Sequence, residues 1–209
     1  MVIRPLILAL SVTLGACAQT QQTDDTQAAQ QTQTQQIEQP EVATSSCWIR
    51  GDVAGRESAL DSTTATVGNQ AIKVCYGRPQ MRGRTILGGL VPYGQPWRLG
   101  ANEATTIHMP SAGTIAGVQV PAGSYSLYVV PNQNEWRVVV NRNAQRWGVP
   151  INAAVEANNV GAGTVAPEAI SQPVEALSAR FENATAQGAS LVFDWERTRI
   201  RIPVTLTAR

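Results

Sequence analysis

The chain has 209 residues, with 16 Lys and Arg against 15 Asp and Glu, and a formal net charge of +1. A near-neutral chain lacks the basic surplus that steers proteins toward nucleic acid, so no nucleic-acid partner is expected. Once the N-terminal segments described next are set aside, residues 47–209 are the size of one domain with a single hydrophobic core.

The N-terminus predicts a bacterial lipoprotein signal peptide over residues 1–16. Arg4 supplies a positive start, and Leu6 to Leu14 form an apolar run too short to span a bilayer, which needs about 20 residues. The run leads into Leu14-Gly15-Ala16-Cys17, which looks like a lipobox with Cys17 as the acylated residue. Ala18 follows instead of Asp, which favours anchoring to the periplasmic face of the outer membrane. A plain signal peptide with an incidental Cys17 is the alternative.

Residues 17–46 predict a lipidated cysteine followed by a disordered tether. Residues 18–46 consist mainly of Gln, Thr, Ala and Asp, and so little apolar surface cannot offset the entropy lost on ordering. As a random coil the tether spans about 30 Å, enough to hold a domain just off a membrane. An aggregation-prone Gln/Asn tract is the alternative, which the aspartates and threonines disfavour.

The chain contains three cysteines, and lipidation of Cys17 leaves Cys47 and Cys75. In an oxidising envelope compartment such a pair more often forms a disulfide than a metal site. The bridge would stabilise the fold by about 3–4 kcal/mol in the chain-entropy model. Two unpaired thiols, with Cys75 buried in a strand, are the alternative.

The remaining segments predict short strands separated by turns. Residues Thr63 to Val67 and Ala71 to Tyr76 flank Gly68-Asn69-Gln70 and predict a hairpin. A second, shorter hairpin is predicted over residues 114–120. Further strands are predicted at Ala104 to Met109, Ser124 to Val130, Glu135 to Asn141, Leu191 to Glu196 and Arg199 to Leu206. Residues 151–158, after Pro150, form the one helical candidate.

This pattern predicts an all-β fold: an antiparallel β-sandwich, jelly-roll-like or barrel-like, with at most one short helix. Tyr125, Leu127 and Val129 share one face of their strand. In the last strand apolar residues alternate with Arg199, Arg201 and Pro203, and the proline predicts a position near a sheet edge.

The segment from Tyr76 to Thr105 has the most unusual composition. Glycine and proline interrupt both helix and strand in it, so other contacts must fix it or it binds a ligand. Its cations and aromatics are Arg78, Arg82, Arg84, Arg98, Tyr76, Tyr93 and Trp97. Between Asp61 and Glu135 the sole carboxylate in the sequence is Glu103.

These residues resemble the DUF2911 family of bacterial proteins, which are often secreted or lipid-anchored. The resemblance covers about residues 60–207. It is carried by G-R-P at 77–79, G-G-L-V-P-Y-G at 88–94, W-R-L-G-A-N-E-A-T-T at 97–106, P-A-G-S-Y-S-L at 121–127, W-x-x-x-x-N at 136–141 and W-G at 147–148. It implies an all-β domain and brings no known activity. The family pattern usually has a hydroxyl or apolar residue where this chain has Cys75, which suggests a disulfide particular to this chain and its near relatives.

Glu103 is the first candidate for chemistry. It could act as a base or bind a sugar hydroxyl, but the favoured interpretation is that it neutralises one or two of Arg78, Arg84 and Arg98. We therefore expect one cluster of Arg78, Arg84, Arg98, Asn102 and Glu103, with Tyr125, Asn141 and Trp147 nearby.

The sequence predicts no catalytic residue, no metal site and no cofactor. Glycosidases need two carboxylates, and no second acid is marked as a partner for Glu103. His108, the single histidine, is interpreted as a surface residue, and no G-x-S-x-G elbow accompanies it. The sugar-stacking alternative would use Tyr93, Trp97, Tyr125, Trp147 and Trp195, although tryptophans in small β-domains are more often core residues.

Three classes of function follow. The favoured one is a membrane-tethered, non-catalytic binding module whose arginines take a glycan, a peptidoglycan fragment or a small anion. The second is a structural or assembly protein of the envelope in which the cluster is an internal ion-pair network. The third is a hydrolase, which requires a second carboxylate close to Glu103 or a nucleophile beside His108. Protein partners cannot be named from the sequence.

Overall fold

The computed structural model describes residues 46–207 of the chain. The predicted signal peptide, Cys17 and nearly all of the tether lie outside the described residues. Within residues 46–207, no helix has the length and apolar character that crossing a membrane requires.

The described chain forms ten strands and one helical turn. In chain order they are β1 (Ala59–Val67), β2 (Gln70–Arg78), β3 (Thr105–Met109), β4 (Gly113–Ile115), β5 (Val118–Val120), β6 (Gly123–Pro131), β7 (Trp136–Asn141), α1 (Ala153–Glu156), β8 (Asn159–Val165), β9 (Glu168–Glu182) and β10 (Gly188–Leu206).

The strands form two sheets, so the all-β prediction is confirmed. A six-stranded sheet has the order β1-β2-β3-β6-β7-β8, and a four-stranded sheet has the order β5-β4-β10-β9. All strand pairs are antiparallel. Alternating apolar residues of both sheets form the hydrophobic core, as Leu127 and Val129 in β6 and Ile200 and Ile202 in β10 illustrate.

Two strands were not predicted. β8 is rich in glycine because the β4–β5 hairpin crosses it closely: a Cβ at Gly163 would lie 1.8 Å from the carbonyl oxygen of Ala116. β9 is an edge strand whose first half is mostly exposed, so it carries little alternation of apolar and polar residues.

The C-terminal segment is one 19-residue strand where two strands were predicted. Glu196 adopts a φ of 56° at an irregularity in the pairing with β9, and the strand continues through it. β10 is not itself an edge strand: it lies between β4 and β9, next to the edge strand β9. In β10 the residues paired with β9 end at Arg199, and the residues paired with β4 begin at Val204. Pro203 is tolerated because it falls between these two sets.

The predicted helix is shorter than expected. It spans Ala153–Glu156, and the Asn152 side chain accepts a hydrogen bond from the N–H of Val155 as its N-terminal cap. Asn141, at the end of β7, donates from its side-chain amide to the carbonyl of Val155. This contact holds the helical segment against the outer face of the six-stranded sheet.

That outer face is polar but buried. Thr106, His108, Ser126 and Asn141 lie on strands β3, β6 and β7, and each is less than 7% exposed. The disulfide between Cys47 and Cys75 ties the described start of the chain to β2, with the two Cα atoms 5.7 Å apart. The predicted disulfide is therefore present.

A carboxylate in β10 makes the hairpin of β9 and β10 sensitive to acid. Asp194 accepts hydrogen bonds of 2.7–2.8 Å from Arg199 and one of 2.7 Å from Arg180. Burial would raise the pKa of Asp194, but these hydrogen bonds hold it below its usual value. A lowered pKa in the folded state means that the stabilisation is present above the unfolded value, about 3.9, and is lost as the pH falls through the folded value.

We therefore expect Asp194→Asn to be less stable than the wild type at pH 7, with a difference that shrinks below about pH 4. Thermal denaturation of the full chain between pH 7 and pH 2.5 measures this. Glu168→Gln is the control, because Glu168 pairs with Arg201 while half exposed and should change stability little. A pH-independent difference between Asp194→Asn and the wild type would contradict the assignment.

Candidate functional site

Glu103 lies in a buried ion pair at the end of the arginine-rich segment. It is 4% exposed, and its two oxygens accept hydrogen bonds of 2.9 and 2.8 Å from Nη1 of Arg56. The backbone N–H of Arg50 donates to the same carboxylate at 2.9 Å. Arg56 in turn donates to the carbonyls of Asp52 and Arg50. Glu103 thus holds the N-terminal segment 50–56 onto the domain.

The surroundings of Glu103 favour its charged form. Burial alone would raise its pKa, but the hydrogen bonds from the Arg50 N–H and from Arg56 lower it below the usual value. The Arg56 guanidinium also lies over the ring of Trp147, 5.8 Å from its centre. Trp147 is held beside Glu103 by an isolated backbone bridge.

The predicted pairing of Glu103 with Arg78, Arg84 or Arg98 is wrong. The partner, Arg56, comes from outside the Tyr76–Thr105 segment, and the proximity of the other arginines in sequence does not reflect contact in the fold. Arg78 is half exposed and lies 3.8 Å from Asp61.

Arg84 and Arg98 line one open cleft with a volume of about 300 Å³. Arg84 donates from Nε to the carbonyl of Met81 and from Nη2 to that of Gln80. Arg98 donates from Nε to the carbonyl of Gly100 at 3.2 Å. Within residues 46–207 neither arginine forms an ion pair. Burial lowers the pKa of Arg98, the direction expected of a guanidinium that lacks an anionic partner.

The backbone of the Trp97–Thr105 segment explains how Arg98 is held. Leu99 and Asn102 have φ values of 52° and 62°, which side-chain-bearing residues seldom adopt. Leu99 is fully buried, so core packing compensates for this conformation. Gly148 leaves room for the Arg98 side chain, because a Cβ there would lie 2.3 Å from its Cδ.

The cleft has an apolar side as well. Leu90 and Val149 line it and are 49% and 46% exposed, so part of the cleft wall is apolar surface open to solvent. Trp97 and Trp195 also line it and stack on each other, with ring centres 5.5 Å apart. Glu57 is the one carboxylate among the described lining residues, and it pairs with Arg82 at 3.0 Å.

The eight predicted site residues do not form one cluster. Asn102 donates to the carbonyl of Ser58 and shares its loop with Glu103. Asn141 bonds to Val155 and Asn159 under the helical segment. Tyr125 lines a different pocket and donates to the carbonyl of Pro121. The predicted site thus divides into the Glu103–Arg56 pair, the cleft of Arg84 and Arg98, and positions elsewhere in the fold.

The aromatic residues likewise form no common platform. Trp195 is 5% exposed and Tyr125 is 7% exposed, so neither offers an open face for a sugar. Trp97 packs edge-on against Trp136 as well as on Trp195, which makes it part of the core boundary.

Sequence reasoning missed two arginines that hold the site together. Arg56 is the partner of Glu103, and Arg146, 7% exposed, donates from Nη1 to the carbonyls of Trp147 and Gly148. Both lie outside the arginine-rich segment, so local composition gave no signal for them.

The interpretation of His108 as a surface residue is wrong. His108 is 6% exposed, and its Nδ1 lies 2.7 Å from the hydroxyl oxygen of Ser124. It is buried because β3 lies inside the six-stranded sheet and the covered outer face closes over it. Within residues 46–207, no group of three or more His, Cys, Asp or Glu side chains is arranged to hold a metal ion.

The fold and these contacts define an all-β domain with an arginine-lined cleft beside a buried ion pair. A model of the family described as "Protein of unknown function (DUF2911)" matches residues 58–204. The chain therefore belongs to the DUF2911 family. A search of curated proteins and a search of solved structures each found no significant match to this chain.

Proposed function

We propose that this chain is a binding module whose cleft takes a small anionic ligand with an apolar part. The observation that carries the proposal is that Arg84 and Arg98 line one open cleft without a carboxylate partner among the described residues. Arg84 uses two N–H donors and Arg98 uses one in bonds to backbone carbonyls, so each guanidinium keeps further N–H donors. Such donors bind carboxylate or phosphate oxygens, often through two hydrogen bonds.

The exposed Leu90 and Val149 on the cleft wall favour a ligand that is not purely ionic. An anion carrying a short aliphatic or aromatic group would bury these side chains while its charged end meets the arginines. Among the carbohydrate ligands considered from the sequence, an acidic fragment of a glycan or of peptidoglycan suits the two arginines better than a neutral sugar.

The cleft is proposed to bind without catalysis. Acid–base hydrolysis of glycosides uses two carboxylates, and Glu57, the one described carboxylate that lines the cleft, is exposed and paired with Arg82. We further propose that lipid on Cys17 anchors the domain to the periplasmic face of the outer membrane, on the support of the lipobox in the sequence.

A structural role in the envelope is the alternative, and the buried pair of Glu103 and Arg56 favours it. That pair accounts for Glu103 without any ligand. It does not account for Arg84 and Arg98, which line the cleft, bond to backbone carbonyls and form no ion pair within residues 46–207.

Phenyl phosphate tests the proposal, because it joins a dianion to an apolar ring. We expect it to raise the melting temperature of the full chain more than inorganic phosphate or benzyl alcohol does. The double variant Arg84→Gln/Arg98→Gln should weaken binding in titration calorimetry at least tenfold, since a hydrogen bond to a charged group is worth about 1.5–3 kcal/mol.

Arg137→Gln is the matched control, because Arg137 is exposed on β7 and does not line the cleft. Equal binding by the double variant and the control would contradict the proposal. Equal shifts from N-acetylglucosamine and phenyl phosphate would show that charge does not select the ligand. No shift from any probe, with a stable fold, would favour the structural role.

A further inference from the structure

A second pocket shares no lining residue with the arginine cleft. It lies at the start of β6, has a volume of about 250 Å³, and is lined by Pro121, Gly123, Ser124, Tyr125, Arg142 and Val160. Ser124 is half-buried and forms part of the pocket wall. His108 stands directly opposite Ser124 in the pairing of β3 with β6, and their side chains point to the same face of the sheet.

The two side chains are within hydrogen-bonding distance, with 2.7 Å between Ser124 Oγ and His108 Nδ1. On its other side, His108 Nε2 lies 3.8 Å from the sulfur of Cys75. That sulfur is bonded to Cys47 and has no hydrogen to donate. The neutral ring satisfies both contacts when Nε2 carries the hydrogen and Nδ1 accepts from the serine hydroxyl.

The imidazole ring of His108 is held in its neutral form, which is the form that a general base requires. Burial lowers the pKa of His108, and the charge of Lys73 on the neighbouring strand lowers it further. A histidine with a lowered pKa is neutral at pH 7 and has a free lone pair to take a proton. The same histidine therefore meets the geometric requirement for activating a hydroxyl, with Nδ1 2.7 Å from the serine oxygen, and its neutral form is the one that can accept the proton.

We propose that Ser124 is a nucleophile activated by His108, and that its pocket accepts small carboxylic esters bearing a negative charge. The charge preference follows from Arg142, which lines the pocket and forms no ion pair within residues 46–207. This site is independent of the arginine cleft, so either proposal can fail without the other.

The reaction is acyl transfer. Ser124 Oγ attacks the ester carbonyl while its proton passes to Nδ1 of His108, and an Oγ–carbon bond forms. The bond between the carbonyl carbon and the leaving oxygen breaks, and the alcohol departs with the proton from His108. Water then attacks the acyl carbon while His108 takes one of its protons, and a new carbon–oxygen bond forms. The bond between that carbon and Oγ breaks, the proton on His108 passes to Oγ, and the free acid, the serine hydroxyl and the neutral histidine result.

A fluorophosphonate probe tests the nucleophile directly. Attack by Ser124 forms an oxygen–phosphorus bond, breaks the phosphorus–fluorine bond and leaves the hydroxyl proton on His108. We expect mass spectrometry of the full chain to find the adduct on Ser124, and Ser124→Ala to abolish labelling while the variant still unfolds in one cooperative transition. Ser126→Ala is the matched control, two residues along the same strand and face, and should label as the wild type does.

His108→Asn should slow labelling by about a hundredfold, the lower range of general-base contributions. With p-nitrophenyl succinate as substrate, Arg142→Gln should reduce the rate more than it does with p-nitrophenyl acetate. The proposal is overturned if the wild type labels no faster than heat-denatured chain, or if Ser124→Ala labels like the wild type. Equal labelling of a folded His108→Asn variant would overturn the activation by histidine.

Discussion

Replacing Glu103 with glutamine is expected to lower the free energy of unfolding by about 3–5 kcal/mol, the usual cost of removing one member of a buried ion pair. The carboxylate accepts hydrogen bonds from Arg56 through both oxygens and from the Arg50 N–H. Glutamine keeps one acceptor and turns an NH₂ group toward these donors, which leaves a buried guanidinium without its counter-charge. Chemical denaturation of the full chain at pH 7 measures the effect.

Glu57→Gln is the control for this substitution. It removes the same charge from a pair with Arg82, but Glu57 is 81% exposed, so the loss should be under about 1 kcal/mol. Equal effects of Glu57→Gln and Glu103→Gln would contradict the structural importance of the buried pair.

The effect of Glu103→Gln also depends on pH. The pKa of Glu103 is lowered in the folded state, so its stabilisation is complete above the unfolded value, about 4.3, and disappears as the pH falls through the folded value. The stability curves of the wild type and the variant should therefore converge in acid. If the variant instead kept wild-type stability and lost phenyl phosphate binding, Glu103 would belong to the ligand site.

Strands could be predicted where one face packs on the core and the other does not. In β6 the alternation of Tyr125, Leu127 and Val129 identified the strand and its inward face, and all three are buried. β8 could not be found in this way, because its glycines are selected by the close crossing of the β4–β5 hairpin. That crossing is a contact between segments distant in sequence, which no local pattern encodes.

The candidate site could likewise be predicted only in part, because contacts between segments distant in sequence assemble it. The sequence singled out Glu103, Arg84 and Arg98, and the structure brings two of these to one cleft. The partner of Glu103 was missed because Arg56 lies 47 positions away and reaches Glu103 through the N-terminal segment. Register across β3 and β6 likewise decides that His108 meets Ser124, and the sequence does not specify that register.

Replacing Gly77 with alanine is expected to destabilise the fold by about 3 kcal/mol, the upper part of the range for overpacking. A Cβ at Gly77 would lie 1.9 Å from the carbonyl oxygen of Ala101 and 2.6 Å from its carbonyl carbon. Both are backbone atoms, so β2 or the segment that carries Arg98 must move. The reciprocal contact is also tight, since a Cβ at Gly100 would lie 3.1 Å from the Gly77 oxygen.

This close approach gives a physical reason for glycine in both the Y-G-R-P and the L-G-A-N stretches: the two backbones touch, and the contact fixes Arg98 at the cleft. Gly83→Ala is the control, because nothing lies within 4 Å of its Cβ position and its φ of 71° accounts for the whole cost, about 1 kcal/mol. Gly77→Ala molecules that remain folded should bind phenyl phosphate more weakly than the Gly83→Ala variant does. The reason is that displacing Ala101 moves the backbone beside Arg98. Equal stability of the two variants would mean that the contact between the two backbones is looser than these distances imply.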